Sequence, residues 1–132
     1  MSDPRKTAIV TGASQGIGAG IVKAFVERGF NVVANSRKVT QSTEVAASNH
    51  VALVDGHIGD PATAARIVET ALSCFKSIDA LVNNAGIFLT KPFTDYTPED
   101  FKSLVSTNVE GFLYVTQLSI KQMLAQKTGG SI

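Results

Sequence analysis

The sequence predicts an α/β fold: a doubly wound parallel sheet with helices on both faces. Two observations predict it. Short apolar and β-branched runs alternate along the chain with longer segments of helical period. Strands joined through helices pair in parallel by right-handed crossovers. The composition allows a real core, because 44% of the 132 residues are hydrophobic and only 17% are charged. Intrinsic disorder is thereby excluded.

The elements follow in order. Thr7 to Thr11 is a β-branched run that meets glycines at once and reads as the first strand. Ile17, Ile21, Ala24 and Phe25 recur at helical spacing, and Gly29 ends that helix. Val32 to Ala34 is a second strand, and the weak periodicity of Val39 to Ala47 predicts one or two helical turns. Val51 to Val54 is a third strand. Asp60 caps the next helix with Pro61 in its first turn. Ala65, Val68, Leu72 and Phe75 form its apolar face, with Cys74 read as a small buried hydrophobe. Ala80 to Val82 is a fourth strand, ending in Asn83-Asn84-Ala85-Gly86.

Thr97-Pro98-Glu99-Asp100 starts a long helix, with acids at its positive end. It is expected to run over 98–126, with Gly129-Gly130 as the stop. Two apolar stripes run along it: Phe101, Leu104, Val105, Val109 and Phe112, then Leu113, Leu118, Ile120 and Leu124. Two stripes fit either a helix covered by other parts of the same chain or one at an interface between copies.

Lys plus Arg total 12 and Asp plus Glu total 11, so no strong field exists to gather nucleic acid or an anionic membrane. One cysteine excludes an intrachain disulfide framework and fits a reducing compartment. Met1 to Lys6 is polar, and no apolar stretch reaches the length of a signal core or a membrane span. The expected location is the cytoplasm.

Thr11-Gly12-Ala13-Ser14-Gln15-Gly16-Ile17-Gly18 lies between a strand and a helix. Gly12 permits a sharp turn. Gly16 leaves no side chain where a pyrophosphate would approach, and Gly18 lets the helix pack closely. The helix N-terminus offers N–H groups and partial positive charge to phosphate. The spacing is Gly-x-x-x-Gly-x-Gly. Together with Asn83-Asn84-Ala85-Gly86 and with Asn108 in the long helix, it resembles the short-chain dehydrogenase/reductase family. The resemblance covers nearly the whole chain. It implies a Rossmann-type sheet of seven strands, a nicotinamide cofactor, and redox chemistry on a small carbonyl or alcohol substrate.

Residues after the second strand of such a fold face the adenosine ribose, where an acid favours NAD and an Arg pairs with a 2′-phosphate. The chain reads Asn35-Ser36-Arg37-Lys38, with no acid. NADP(H) is therefore the expected cofactor, with Arg37 on the phosphate and Ser14, Gln15 and Ser36 beside it. His57-Ile58-Gly59-Asp60 falls where the family usually has Asp-hydrophobic-x-polar. His57 could accept from adenine as neutral imidazole, or could be a semi-exposed loop residue with Ile58 supplying backbone contacts. A two-residue shift would put Asp55 there instead. Asn84, Ala85 and Gly86 are expected at the cofactor's ribose and base.

The family's Ser and Tyr-x-x-x-Lys are missing: Tyr96 and Tyr114 are followed four residues on by Asp100 and Leu118. Of its catalytic tetrad only Asn108 is present, a residue that in the family disturbs the helix and helps hold a water. The expected protein is thus an NADP(H)-dependent oxidoreductase and a homo-oligomer through helix 98–126. The alternative is a non-catalytic dinucleotide-binding module.

The family places its fifth strand beside the fourth, and here it only begins at Ser131-Ile132. Residues 1–132 therefore read as one dinucleotide-binding domain, incomplete at the C-terminus, with a hydrophobic open edge at Leu81 and Val82. Each unpaired buried backbone group costs about 1–3 kcal/mol against a net domain stability of about 5–15 kcal/mol. Expressed alone, this stretch is expected to show neither a cooperative monomeric unfolding transition nor carbonyl reductase turnover. Solution mass, thermal unfolding and an NADPH-consumption assay check both.

Overall fold

The computed structural model describes residues 5–132. Met1 to Pro4, part of the polar opening read above as lacking a targeting signal, lie outside the described residues. Four strands, β1 (Thr7–Thr11), β2 (Asn31–Ser36), β3 (Val51–Asp55) and β4 (Ala80–Val82), form one parallel sheet in the order β3-β2-β1-β4. The helices are α1 (Gly16–Glu27), α2 (Pro61–Phe75), α3 (Pro98–Val105) and α4 (Gly111–Gln126). This is the predicted α/β arrangement, a Rossmann-like sheet covered on both faces.

The central strands are apolar throughout because both of their faces are buried. Alternation divides them between two cores. Ile9 and Val33 point to one face, where Ala64, Ile67 and Ala71 of α2 and Val115 and Met123 of α4 cover them. Val10, Val32 and Ala34 point to the other, under Ala19 and Val22 of α1. Polar side chains fasten the ends. Asp79 accepts from Thr7 N and from Ser77 Oγ, both at 2.8 Å. Gln126 grips Ile78 twice, accepting from its N–H at 2.7 Å and donating to its carbonyl at 2.9 Å. The outer edge of β4 meets Ser131, whose carbonyl accepts from Leu81 N at 2.9 Å and whose N–H donates to Asp79 O at 3.0 Å. This is an isolated parallel bridge between Ala80 and Ser131, at the position where the sequence reading expects a fifth strand to begin.

Several local expectations change. β2 and β3 extend beyond their apolar centres, because backbone pairing continues through Asn31, Asn35, Ser36 and Asp55. The stretch after β2 holds a single 3₁₀ turn, Val39–Gln41. On α1, Val22 is buried while Ile17 is 77% exposed. The buried line of α2 is Ala64, Ile67 and Ala71, one position from the expected stripe. Ala65, Val68, Leu72 and Phe75 flank it, half-buried. That line, two alanines around Ile67, is covered because the helix is wedged between the sheet and α4. Cys74 is exposed, correcting its reading as a buried hydrophobe.

The long helix is continuous but changes pitch, with a π turn at Ser106–Glu110 between α3 and α4. Its packing face is the i, i+4 line Thr107, Gly111, Val115, Ser119 and Met123, all buried. Most of both predicted stripes lies exposed instead: Phe101, Val109, Phe112, Leu113, Ile120 and Leu124. Lys127 ends the helix in the left-handed region at φ 59°, ahead of the predicted Gly129-Gly130 stop. Among the described residues no helix is long and apolar enough to cross a membrane.

Ile67 is fully buried between α2 and the sheet. In the intact protein, Ile67→Ala is expected to lower unfolding stability by about 2–5 kcal/mol, measurable by chemical denaturation.

Candidate functional site

A cleft of about 620 Å³ opens at the C-terminal ends of the strands. It lies around the point where the sheet order reverses, with β1 between β2 and β4. Crevices at such switch points are where open α/β sheets bind ligands. Gly12, Ser14, Gln15, Ser36, Arg37, His57, Ile58, Ala85 and Gly86 all line it, so distant parts of the sequence converge as expected. Asn35, Lys38, Gly56, Ile87, Ser103 and Thr107 complete the wall.

The floor is a joint between the glycine-rich turn and the β4 loop. Thr11 Oγ1 accepts from Asn84 N at 3.1 Å and Ala85 N at 2.9 Å. It also donates to Val82 O at 3.4 Å. Asn84 Nδ2 donates back to Gly12 O at 3.0 Å. Gly12 has φ +63°, and a Cβ there would sit 2.8 Å from Ala85 Cα. A Cβ on Gly18 would collide with the Gly12 carbonyl and stand 2.7 Å from Asn84 Nδ2. Gly18 is therefore required by the turn and Asn84, beyond the helix packing read from sequence. Gly16 differs, since a Cβ there would meet nothing within 4 Å. Its missing side chain leaves open space at the N-terminus of α1. Ile17 and Gly18 keep N–H groups without a partner among the described residues, as the first turn of a helix does.

On the opposite wall, Gly59 N donates to His57 Nδ1 at 2.9 Å. A neutral ring so bound carries its proton on Nε2, which lies 3.3 Å from Thr107 Oγ1. Both ring nitrogens are thus engaged, and the half-buried imidazole offers no spare acceptor. Ile58 is buried in the core. Asp55, the alternative acid, does not line the cleft. Its carboxylate accepts from Thr40 N at 2.9 Å and Thr40 Oγ1 at 2.6 Å. Those bonds hold its pKa below the usual 3.8. A depressed carboxylate supports the fold at neutral pH and loses that contribution only as pH falls through the lowered value.

Arg37 and Lys38 are exposed at the cleft edge. The ion pair found among the described residues is elsewhere, between Lys91 and Asp100 at 2.6 Å, and none of their carboxylates pairs with Arg37. Asn108 lies in the π turn beside the cleft, in a smaller cavity of about 120 Å³. Its Oδ1 accepts from Ile87 N at 2.9 Å and its Nδ2 donates to Ile87 O at 3.1 Å. The side chain thus acts as a two-bond clamp on the chain leaving β4. Neither tyrosine lines the cleft. Tyr96 donates to Leu89 O. Tyr114 donates to Glu110 Oε2 at 2.9 Å, a bond that pushes its pKa up.

Two groups escaped the sequence reading. Thr11 was visible only as the residue before the turn. Glu44 lies in an unpatterned polar stretch, yet Gly16 N donates to its carboxylate at 3.0 Å.

The family model for short chain dehydrogenases matches residues 6–132. The chain belongs to the short-chain dehydrogenase family. Among its relatives, the NADP-dependent (R)-specific alcohol dehydrogenase of Lentilactobacillus kefiri is 34% identical over 131 residues, 96% of this chain and 52% of that protein. A short-chain dehydrogenase from Streptomyces avermitilis superposes with a TM-score of 0.86 at 26% identity, over 98% of this chain and 48% of that one. The 3-ketoacyl-(acyl-carrier-protein) reductase of Brucella melitensis, complexed with NADH, gives 0.85 at 32% identity, over 93% and 52%. The chain spans about half the length of the curated relatives it matches.

Thr11→Val keeps the shape of the side chain and removes the acceptor for two N–H groups. It is expected to cost about 1–3 kcal/mol for each group left unpaired and to loosen Asn84 and Ala85. Amide hydrogen exchange at those two positions, with thermal unfolding, checks this.

Proposed function

We propose that the protein is an NADP(H)-dependent oxidoreductase of the short-chain type, acting on a small carbonyl or alcohol substrate, with residues 1–132 belonging to its cofactor-binding domain. The observation that carries the reading is the meeting of three segments in one cleft: the glycine-rich turn, Ser36-Arg37 after β2, and Asn84 to Gly86 after β4. The residues fit a dinucleotide. Open space at Gly16 and the free Ile17 and Gly18 amides suit a pyrophosphate at the helix N-terminus. The Arg37 guanidinium suits a 2′-phosphate, with Ser14, Gln15 and Ser36 adjacent. The NADP dependence of the Lentilactobacillus kefiri relative supports that preference.

A bound nicotinamide would supply hydride exchange with the substrate carbon. The chain's own residues do the positioning. Thr11 and Asn84 hold the β4 loop, so that Ala85 and Gly86 present backbone to the ribose and base. Asn108 fixes Ile87 and thereby the wall on the substrate side, while Ile58 and His57 close the adenine side. The engaged imidazole favours a packing contact for His57 over a hydrogen bond from adenine. The apolar side chains exposed along helix 98–126 support assembly with further copies of the protein through that helix.

NADPH is expected to bind more tightly than NADH. Arg37→Ala is expected to cost about 1.5–3 kcal/mol of NADPH binding, the worth of a charged hydrogen bond, and to leave NADH nearly unchanged. Fluorescence titration of both cofactors measures this. Equal affinities in the unmutated protein would remove Arg37 from the role.

A further inference from the structure

Gly12 and Gly16, at the two ends of the glycine-rich turn, both sit at positive φ, 63° and 58°. Glycines open many shapes to such a turn, so the bonds made to it from outside decide which one it keeps. The first half is held by the sheet. Thr11 Oγ1 and the Gly12 carbonyl meet the loop after β4, and Ala13 N donates to Asn35 O of β2 at 2.9 Å. The second half is held by a different segment, the connection between β2 and β3. Ser42 Oγ donates to the Ser14 carbonyl, and Glu44 Oε2 accepts from Gly16 N at 3.0 Å. Among the described residues, these are the hydrogen bonds that reach Ser14 and Gly16 from outside the turn and α1.

The connection is itself anchored. Val39 and Val45 are buried in the core beneath α1. Thr40 is bonded through N and Oγ1 to the Asp55 carboxylate at the end of β3. Between these anchors, Ser42 Oγ accepts from Glu44 N and Val45 N, each at 3.1 Å. Ser14 and Gln15 line the cleft, whereas Ser42 and Glu44 stand outside its lining. Their bonds take one atom on each side of Gln15 and leave the Ile17 and Gly18 amides free. We propose that Ser42 and Glu44 are positioning residues for the cofactor's pyrophosphate, which hold the second half of the turn in its binding shape without touching the ligand. The inference rests on the reading of the cleft as a nicotinamide dinucleotide site. A turn that is already fixed loses little further freedom when a ligand arrives, and association is stronger for it. The pyrophosphate is common to NADP(H) and NAD(H), so the effect falls on both alike. Each tether is a single hydrogen bond onto the turn, which sets a scale of about three- to tenfold in affinity.

The test measures dissociation constants for NADPH and NADH, with a thermal unfolding midpoint, in the intact unmutated protein and in Ser42→Ala, Ser42→Thr, Glu44→Ala, Glu44→Gln and Ile67→Val. All titrations are made well below the lowest midpoint. Ser42→Ala and Glu44→Ala are each expected to weaken both dinucleotides by about three- to tenfold and to leave the NADPH-to-NADH ratio within about twofold. Ser42→Thr keeps the hydroxyl, and Glu44→Gln keeps an oxygen for the Gly16 N–H while removing the charge. Both are expected to bind no more than about twofold more weakly than the unmutated protein. Ile67→Val lowers stability from a buried position outside the cleft lining and is expected to leave both constants within about twofold. In a protein that binds both dinucleotides, unchanged affinities in the two alanine variants overturn the positioning role. So does a loss in Glu44→Gln as large as in Glu44→Ala, or a loss in Ile67→Val that matches theirs. Failure of the unmutated protein to bind either dinucleotide overturns the reading of the cleft, and this inference with it.

Discussion

The contact between the glycine-rich turn and the loop after β4 organises the rest of the cleft. One hydroxyl, on Thr11, satisfies two backbone N–H groups of that loop. The contact closes only because Gly12 and Gly18 lack side chains. Backbone meets backbone at Gly12 and Ala85, and a methyl group would separate them. With the turn held in this way, the N-terminus of α1 follows directly on the cleft residues Ser14 and Gln15. Gly16 then leaves space above it, and the charge of the helix end meets whatever occupies that space.

The second wall depends on a different device. An α-helix running straight from Pro98 to Gln126 would keep its side chains in a fixed phase. The π turn at Ser106–Glu110 adds to the local pitch, and Asn108 sits in that widened turn. From there its amide takes both backbone groups of Ile87, while Thr107 meets His57 and Gly111 packs under Ile58. The turn thereby couples the long helix to the loops after β3 and β4. An asparagine in a helix interior is ordinarily neutral or unfavourable, since its side chain competes for backbone groups. Here the competition is directed at another segment, and the cleft gains a rigid edge.

Charge is arranged as deliberately as shape. Arg37 stands at the edge of the cleft without a carboxylate partner among the described residues, whereas the acids nearby are committed elsewhere: Asp55 to Thr40 and Glu44 to Gly16. The cleft therefore offers an anion the Arg37 guanidinium at its edge, and the N-terminus of α1 beside it meets the Glu44 carboxylate through Gly16 N. That balance is a property of three loops folded together, and none of the three carries it alone.

The sequence by itself determined the α/β class, the four strands, the glycine-rich turn and most of the cleft-lining residues. These depend on local rules: β-branched runs, helical period, and glycines where backbone must turn or approach. Tertiary structure decided what those rules cannot reach. The packing face of the long helix is a line of Thr107, Gly111, Val115, Ser119 and Met123, too small and polar to stand out beside the exposed Phe112 and Leu113. The same ambiguity moved the buried line of α2 by one position and turned Cys74 outward. Hydrophobic period reports that a helix has apolar sides, but which side is covered depends on the neighbour it meets. Glu44 is the clearest case. Nothing in its polar surroundings marks it, because its partner is an amide 28 residues away, brought within 3.0 Å only when the β2–β3 connection folds back over the turn.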